Sequence, residues 1–263
     1  MHFTKMQGLG NDYLYVFGNA PENIVNLCRH LSDRHFGVGS DGMIFISPSS
    51  VTDFKMRIFN ADGSEAKMCG NGIRCVGKYV YEKGYTEKTN LRIETLSGIR
   101  MLNLHLIAGK VKMVSVDMGQ AKVSSDIIVP LENGRIICTP VSIGNPHAVI
   151  FVENAEKSDI STIGPQVENS EPFPDGVNTE FAEIVDKNTI RMRVWERGSG
   201  ITLACGTGAC AVVAAAVSKG ICEFDKPITV KLDGGILEIT VSNDYKITMT
   251  GPAETVYEGD IVC

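Results

Sequence analysis

The sequence predicts an α+β fold of two pseudo-symmetric halves, each a curved sheet with two helices, one of them small enough in girth for the sheet to wrap. Three observations carry this. The phrase Cys-Gly-Xaa-Gly occurs at Cys69 and again at Cys205, and the shift of 136 that relates them also pairs Met56 with Met192, Arg57 with Arg193, Val76 with Val212, Lys83 with Lys219 and Gly84 with Gly220. Upstream, a shift of 134 sets Leu9-Gly10-Asn11-Asp12-Tyr13 against Ile143-Gly144-Asn145-Pro146-His147, so the halves differ by a two-residue loop. Residues 209–217 form a run of Ala, Val and one Cys. A helix of this kind, apolar on every side, has to be enclosed by protein, and a sheet that wraps around it needs its small girth.

The elements follow in order. In the first half, alternating or β-branched runs predict strands near residues 13–17, 43–46, 54–59, 91–94, 99–106 and 110–117. A helix is expected over 22–34, opened by Pro21 in its first turn and carrying Ile24, Leu27, Cys28 and Leu31 at helical spacing. A second helix starts just after Cys69 and stops at Gly84, a residue suited to a left-handed cap. The second half repeats the order, with a strand at 148–152, a helix at 159–168, strands at 179–185 and 189–195, a helix at 206–219, and strands at 228–232, 236–241 and 246–250. Glycine-containing turns, Ala61-Asp62-Gly63-Ser64 and Arg197-Gly198-Ser199-Gly200, precede the two cysteines. The boundary falls within 116–122. The first domain is residues 1–116 completed by 251–263, and the second is 117–250.

Composition narrows the class. With 263 residues, 43% of them hydrophobic, the chain supplies a core to each half. A net charge of −6 without any dense run of Lys or Arg excludes a nucleic-acid face. The first residues lack a signal-peptide core and the longest apolar run is too short for a bilayer, so no membrane association and a cytoplasmic location are expected. Cysteines there stay reduced. Cys28, Cys75, Cys138, Cys210, Cys222 and Cys263 have no repeated context and are expected to serve as small buried hydrophobes. Neither Cys-x-x-Cys nor a His pair at ligand spacing is present, so the sequence predicts no metal site and no redox dithiol.

The duplicated cysteines point to chemistry. A cysteine directly before a helix sits at the positive end of the helix dipole, beside unpaired amides, and both effects lower its pKa from the ordinary thiol value. Gly70 and Gly72, like Gly206 and Gly208, leave the first-turn amides open to an anion such as a carboxylate. With a sulfur on either side of an α-carbon, one thiolate removes the proton and the opposite thiol delivers another, inverting the centre. The usual obstacle is the weak acidity of the α-C–H, which most enzymes overcome with pyridoxal. Here the amides and dipoles aimed at the carboxylate stabilise the developing charge, so no cofactor is expected. The polar neighbours differ between halves: Asn60 corresponds to Glu196, and Ala61 to Arg197. Arg197 suits a second carboxylate and Glu196 an ammonium group, although an adjacent Glu and Arg at a strand end also read as solvated charges. His147 reads equally as a core histidine bonded to backbone.

The chain as a whole resembles the diaminopimelate epimerases. The resemblance rests on Gly8-Leu9-Gly10-Asn11-Asp12, Arg34-His35-Phe36-Gly37-Val38-Gly39-Ser40-Asp41-Gly42, Phe59-Asn60-Ala61-Asp62-Gly63-Ser64, Met68-Cys69-Gly70-Asn71-Gly72-Ile73-Arg74-Cys75, Gly144-Asn145-Pro146-His147, Gly176-Val177-Asn178-Thr179-Glu180, Trp195-Glu196-Arg197-Gly198 and Ala204-Cys205-Gly206-Thr207-Gly208. It implies two pseudo-symmetric domains, each a mixed, mostly antiparallel, barrel-like sheet wrapped around a central helix, and a pyridoxal-independent epimerase acting on diaminopimelate in the cleft between them, commonly as a homodimer. It implies Cys69 and Cys205 as the acid/base pair, and Gly70-Asn71 with Gly206-Thr207 as the anion hole. Asn11, Asn60, Asn145, Asn178, Glu196 and Arg197 would hold the substrate, while His147 and Glu196 would tune the thiols. Where some members carry a substrate-touching glutamine this chain has Gly42, which offers backbone only. Proline racemase-like enzymes and PhzF-type isomerases share the fold. Asn71 in place of histidine and the presence of Arg197 speak against the first, and the cysteine pair against the second. A non-catalytic amino-acid-binding protein would need no thiols at all.

Overall fold

The apolar run after Asp12 forms β2 (Asn11–Phe17), and β1 (His2–Gly8) pairs with it as a hairpin turned by Leu9 and Gly10 at positive φ. The first unit continues with α1 (Ile24–Ser32), β3 (Gly42–Pro48), β4 (Phe54–Asn60), β5 (Glu65–Ala66), α2 (Gly70–Glu82), β6 (Asn90–Thr95), β7 (Gly98–Ile107) and β8 (Lys110–Gln120). Into the second unit fall β9 (Lys122–Val123), β10 (Ile127–Leu131), β11 (Gly134–Ser142), β12 (Pro146–Phe151), α3 (Ile160–Glu168), β13 (Asn178–Asp186), β14 (Thr189–Glu196) and β15 (Gly200–Ile201). They are followed by α4 (Gly206–Ser218), β16 (Pro227–Leu232), β17 (Gly235–Val241) and β18 (Lys246–Pro252). The chain then returns as β19 (Glu254–Asp260) to pair antiparallel with β1. The computed structural model describes residues 1–261, in two compact units, one of residues 1–116 with 251–261 and the other of residues 117–250.

The internal repeat is visible in the pairing. In the first unit β2 runs parallel to β3 and β4 parallel to β6, with the remaining neighbours antiparallel; in the second, β12 runs parallel to β13 and β14 to β16. Leu14 sits opposite Met43, and Ala148 opposite Thr179, which keeps the shift of 134 on one strand and 136 on the other. The two extra residues lie before α3, where residues 152–159 occupy the place of 18–23. The sheet is mixed and mostly antiparallel, as expected, with α2 and α4 buried against one face of each half and α1 and α3 packed on the other.

Each sheet is buried on both sides, which explains why its central strands read as continuous apolar runs. In the first unit Leu14, Val16, Met43, Phe45 and Phe59 cluster with Ile24, Cys28 and Leu31 of α1. On the other face Ile44 and Met56 press against Gly72 of α2, and the Tyr15 hydroxyl donates to the Gly72 carbonyl. In the second unit Ala148, Ile150 and Phe181 cluster with Ile160 and Val167 of α3, while α4 is buried from Ala209 through Val217. Both central helices stop in the same way: Gly84 and Gly220 adopt positive φ and their N–H groups donate to Tyr81 and Val217.

Some boundaries differ from those expected. Helix α1 begins at Ile24 with no side-chain cap and ends at Ser32, because Asp33 turns the chain by accepting the His35 and Phe36 amides. Strands β1, β10 and β11 were not anticipated: Lys5 and Gln7 interrupt the apolar pattern of β1, and Pro130 and Pro140 interrupt the other two. Cys28, Cys75, Cys138, Cys210 and Cys222 are buried as expected, and Cys263 lies outside the described residues. No described helix is long and apolar enough to cross a membrane.

Candidate active-site residues

Cys69 and Cys205 are the N-caps of α2 and α4, both in extended backbone conformation. Each sulfur accepts the amide of the residue three positions on, Gly72 or Gly208, at 3.3 Å. This is the serine-type N-cap geometry performed by sulfur. It keeps the first-turn residues Gly70-Asn71 and Gly206-Thr207 at the positive end of each helix dipole. Gly72 is required by packing, since a Cβ there would stand 2.7 Å from Ile44 Cδ1.

Around Cys69 the first unit gathers Asn11 and Asn71. The Cys69 thiol donates to Asn11 Oδ1 at 3.3 Å, and Asn11 Nδ2 in turn donates to Asp41 Oδ2 at 2.8 Å. Arg34 bridges Asp12 and Asp41, and Lys5 pairs with Asp12 at 2.9 Å. Asn71 is buried, and its side-chain oxygen accepts from Arg74, a guanidinium with no solvent exposure that also donates to the carbonyls of Gly70 and Pro252. Asn60 sits at the end of β4 with its side-chain amide donating to Ser64 Oγ; the next residue, Ala61, reaches the Asn11 cluster through its amide, which donates to the Asp41 carbonyl. Gly42 has positive φ, and any Cβ there would overlap the Phe59 carbonyl at 2.0 Å. The backbone at this position therefore admits glycine alone.

In the second unit, Asn145 Nδ2 donates to Thr207 Oγ1 at 3.2 Å, and Thr207 Oγ1 lies 3.6 Å from the Cys205 sulfur. Asn178 accepts the Arg197 amide at 3.0 Å and donates to the Pro146 carbonyl at 3.2 Å. The Arg197 guanidinium donates to the Asp175 carbonyl and lies over Gly176, where a Cβ would meet its Cδ at 2.8 Å. Glu168 fixes this turn from below by accepting the Trp195 indole N–H and the Gly198 amide. Glu196 accepts from the Thr202 hydroxyl. His147 is bonded not to backbone but to a carboxylate: its Nδ1 lies 2.6 Å from Glu180 Oε1, both side chains wholly buried.

Electrostatics at Cys205 reverse one expectation. A helix N-terminus by itself lowers a thiol's pKa, yet Cys205 is pushed well above the ordinary thiol value. Its burial is the largest cause, the charges of Glu196 and Glu180 add to it, and the hydrogen bonds from Thr207 and the Gly208 amide only partly oppose it. Glu180 is itself raised, burial outweighing its contact with His147.

Glu180 and Arg74 belong to these surroundings and were not singled out from the sequence. The signal for Glu180 was present: two residues after Asn178 on a strand, it faces the same side as a substrate-binding candidate. Arg74 is the one cation in the first turns of α2, where the repeat has apolar Cys210. Among the described residues no group of three His, Cys, Asp or Glu side chains is placed to hold a metal ion.

Comparison with known proteins agrees with these motifs. The diaminopimelate epimerase family model matches residues 3–124 and 139–256. A diaminopimelate epimerase of Methanococcus maripaludis strain S2 is 51% identical over 99% of both chains. One from Bacteroides thetaiotaomicron is 51% identical over 98% of this chain and 97% of its own. Among solved structures, a hydroxyproline epimerase from Agrobacterium vitis superposes with a TM-score of 0.76 at 16% identity, covering 99% of this chain and 90% of its own. At that identity the likeness is one of fold.

Proposed function

The chain belongs to the diaminopimelate epimerase family, isomerases of lysine biosynthesis that convert LL-2,6-diaminopimelate to the meso form, and we propose that it performs this reaction with two of its own thiols and no cofactor. The observation that carries the reading is the repeated N-cap geometry of Cys69 and Cys205 in chemically unlike surroundings. The mechanism requires the two sulfurs to act on opposite faces of one α-carbon. Cys205, its thiol pushed up by burial and the nearby carboxylates, is the acid, and Cys69 is the base: once the proton that it donates to Asn11 has left to solvent, its sulfur takes the α-proton, the electron pair spreads onto the substrate carboxylate, and Cys205 gives its proton to the other face. First-turn amides at Gly70-Asn71 and Gly206-Thr207 stabilise the charge on that carboxylate. Arg197 binds the distal carboxylate as a fork, which a proline-type monocarboxylate would leave unused. Glu196 receives an ammonium group, and Asn11, Asn60, Asn145 and Asn178 orient the remaining polar atoms. The same reading makes the protein a cytoplasmic homodimer, which sedimentation equilibrium tests.

Proton NMR of LL-diaminopimelate in D2O with the reduced protein and no pyridoxal tests the mechanism, beside a parallel sample of L-proline. Deuterium at the diaminopimelate α-carbon with meso product is expected from the native chain, and none from Cys69→Ala or Cys205→Ala, each still folded. Wild-type turnover in either variant overturns the two-thiol assignment. Exchange of proline instead would transfer the chain to racemase chemistry.

A further inference from the structure

The pair His147–Glu180 lies in the interior of the second unit, His147 on β12 and Glu180 on the parallel neighbour β13. One Glu180 oxygen is taken by the imidazole at 2.6 Å; the second oxygen and His147 Nε2 are both buried without a hydrogen-bond partner. Buried polar atoms left in that state are costly and call for a functional account. Gly208 shows where the carboxylate points. A Cβ built on it would lie 2.7 Å from Glu180 Oε1 and 3.2 Å from the Cys205 sulfur, which bounds the separation of these two atoms at about 6 Å. Glycine at this turn of α4 thus makes room for a carboxylate next to the sulfur.

We propose that Glu180 is a positioning residue for Cys205: its carboxylate, anchored by His147 against the first turn of α4, keeps the sulfur protonated so that it serves as the acid of the reaction. This rests on the two-thiol reading above. With a single proton on the imidazole, the pair carries one negative charge, and a thiolate beside it is disfavoured. With a second proton the pair is neutral and that repulsion is gone. When Cys205 transfers its proton to carbon, the S–H bond breaks as the C–H bond forms, and the thiolate left behind is the species that Glu180 drives to take a proton back. The other groups facing this sulfur are Glu196 from β14, which acts in the same sense, and Thr207 and the Gly208 amide from α4, which act against it. Cys138 also feels Glu180, behind burial and Asp126, and its thiol is pushed up to about 11.

The test is a pH titration of thiolate ultraviolet absorbance in a Cys69→Ser background, taken as the difference from Cys69→Ser/Cys205→Ser so that Cys205 alone is read. Removing one charge at this distance in Glu180→Gln is expected to lower the Cys205 midpoint by about one to two pH units, a ten- to hundredfold gain in thiolate at fixed pH. Glu180→Asp, which keeps the charge, should stay near the parent value. If Glu180→Gln does not fold, Glu180→Met, apolar and of similar volume, takes its place. An unchanged midpoint in the neutral variant, or an equal fall in Glu180→Asp, overturns the proposal. Neither result depends on turnover, so failure of the two-thiol mechanism, seen as an active Cys205→Ala, is separately visible.

Discussion

At the scale of single residues, like sulfurs stand in unlike surroundings. Arg74 of α2 carries a buried guanidinium that donates to the Gly70 carbonyl in the turn after Cys69; the charges of Glu196 and Glu180 bear on Cys205. The two halves carry the same cysteine in the same N-cap geometry with different polar neighbours, and under the two-thiol reading that difference assigns one acid and one base. Further from the sulfur, Asp12 illustrates a charge that serves stability. Burial alone would raise its pKa, but hydrogen bonds and charge from Arg34 and Lys5 outweigh it and bring it below the ordinary 3.8. A depressed carboxylate stabilises the fold fully above its unfolded value and loses that contribution as pH falls through the folded one. Asp12→Asn is therefore expected to be less stable than the parent at neutral pH and to lose less on acidification, so that urea midpoints for the two converge below about pH 3. Parallel curves across the acid range would show that Asp12 is not linked to folding.

At the scale of elements, both central helices obey the same rules with different side chains. α4 achieves small girth with alanines, and α2 with Gly72 and Gly77, where a Cβ at Gly77 would meet Leu104 and Leu102 at 2.8 and 2.9 Å. Their ends were legible because Gly84 and Gly220 recur in register and glycine alone enters the left-handed region cheaply. Both have open space around the missing Cβ. Gly84→Ala and Gly220→Ala should thus cost only the backbone term, about 1 kcal/mol each, and should add in the double variant because the sites share no partner. Thermal denaturation checks this: losses well beyond that sum would reveal packing that the open space does not suggest.

At the scale of the whole molecule, β19 carries the end of the chain back to β1, giving that strand a second antiparallel partner besides β2. The second unit solves the same problem locally, with β10 beside β11. Removing residues 253–263 should leave β1 with an exposed edge. In that truncated chain, hydrogen exchange is expected to accelerate across residues 2–17 while the amides of α4 keep their protection. Uniform acceleration through both units would show that they do not fold as separate cooperative bodies.

Pattern and spacing by themselves determined the duplication, its two-residue slip, the two central helices with their caps and the position of both sulfurs, because each of these is a local property of register. They missed β1, β10 and β11, whose lysine, glutamine or proline blurs the alternation; pairing with neighbours distant in sequence makes them strands. Only the tertiary structure decided that His147 meets Glu180 and that burial and two carboxylates push the Cys205 thiol's pKa up. A helix dipole can be read from a cysteine and its following glycines, whereas burial and the charges of Glu196 and Glu180 arrive from other strands, and desolvation at that site exceeds what the helix end supplies.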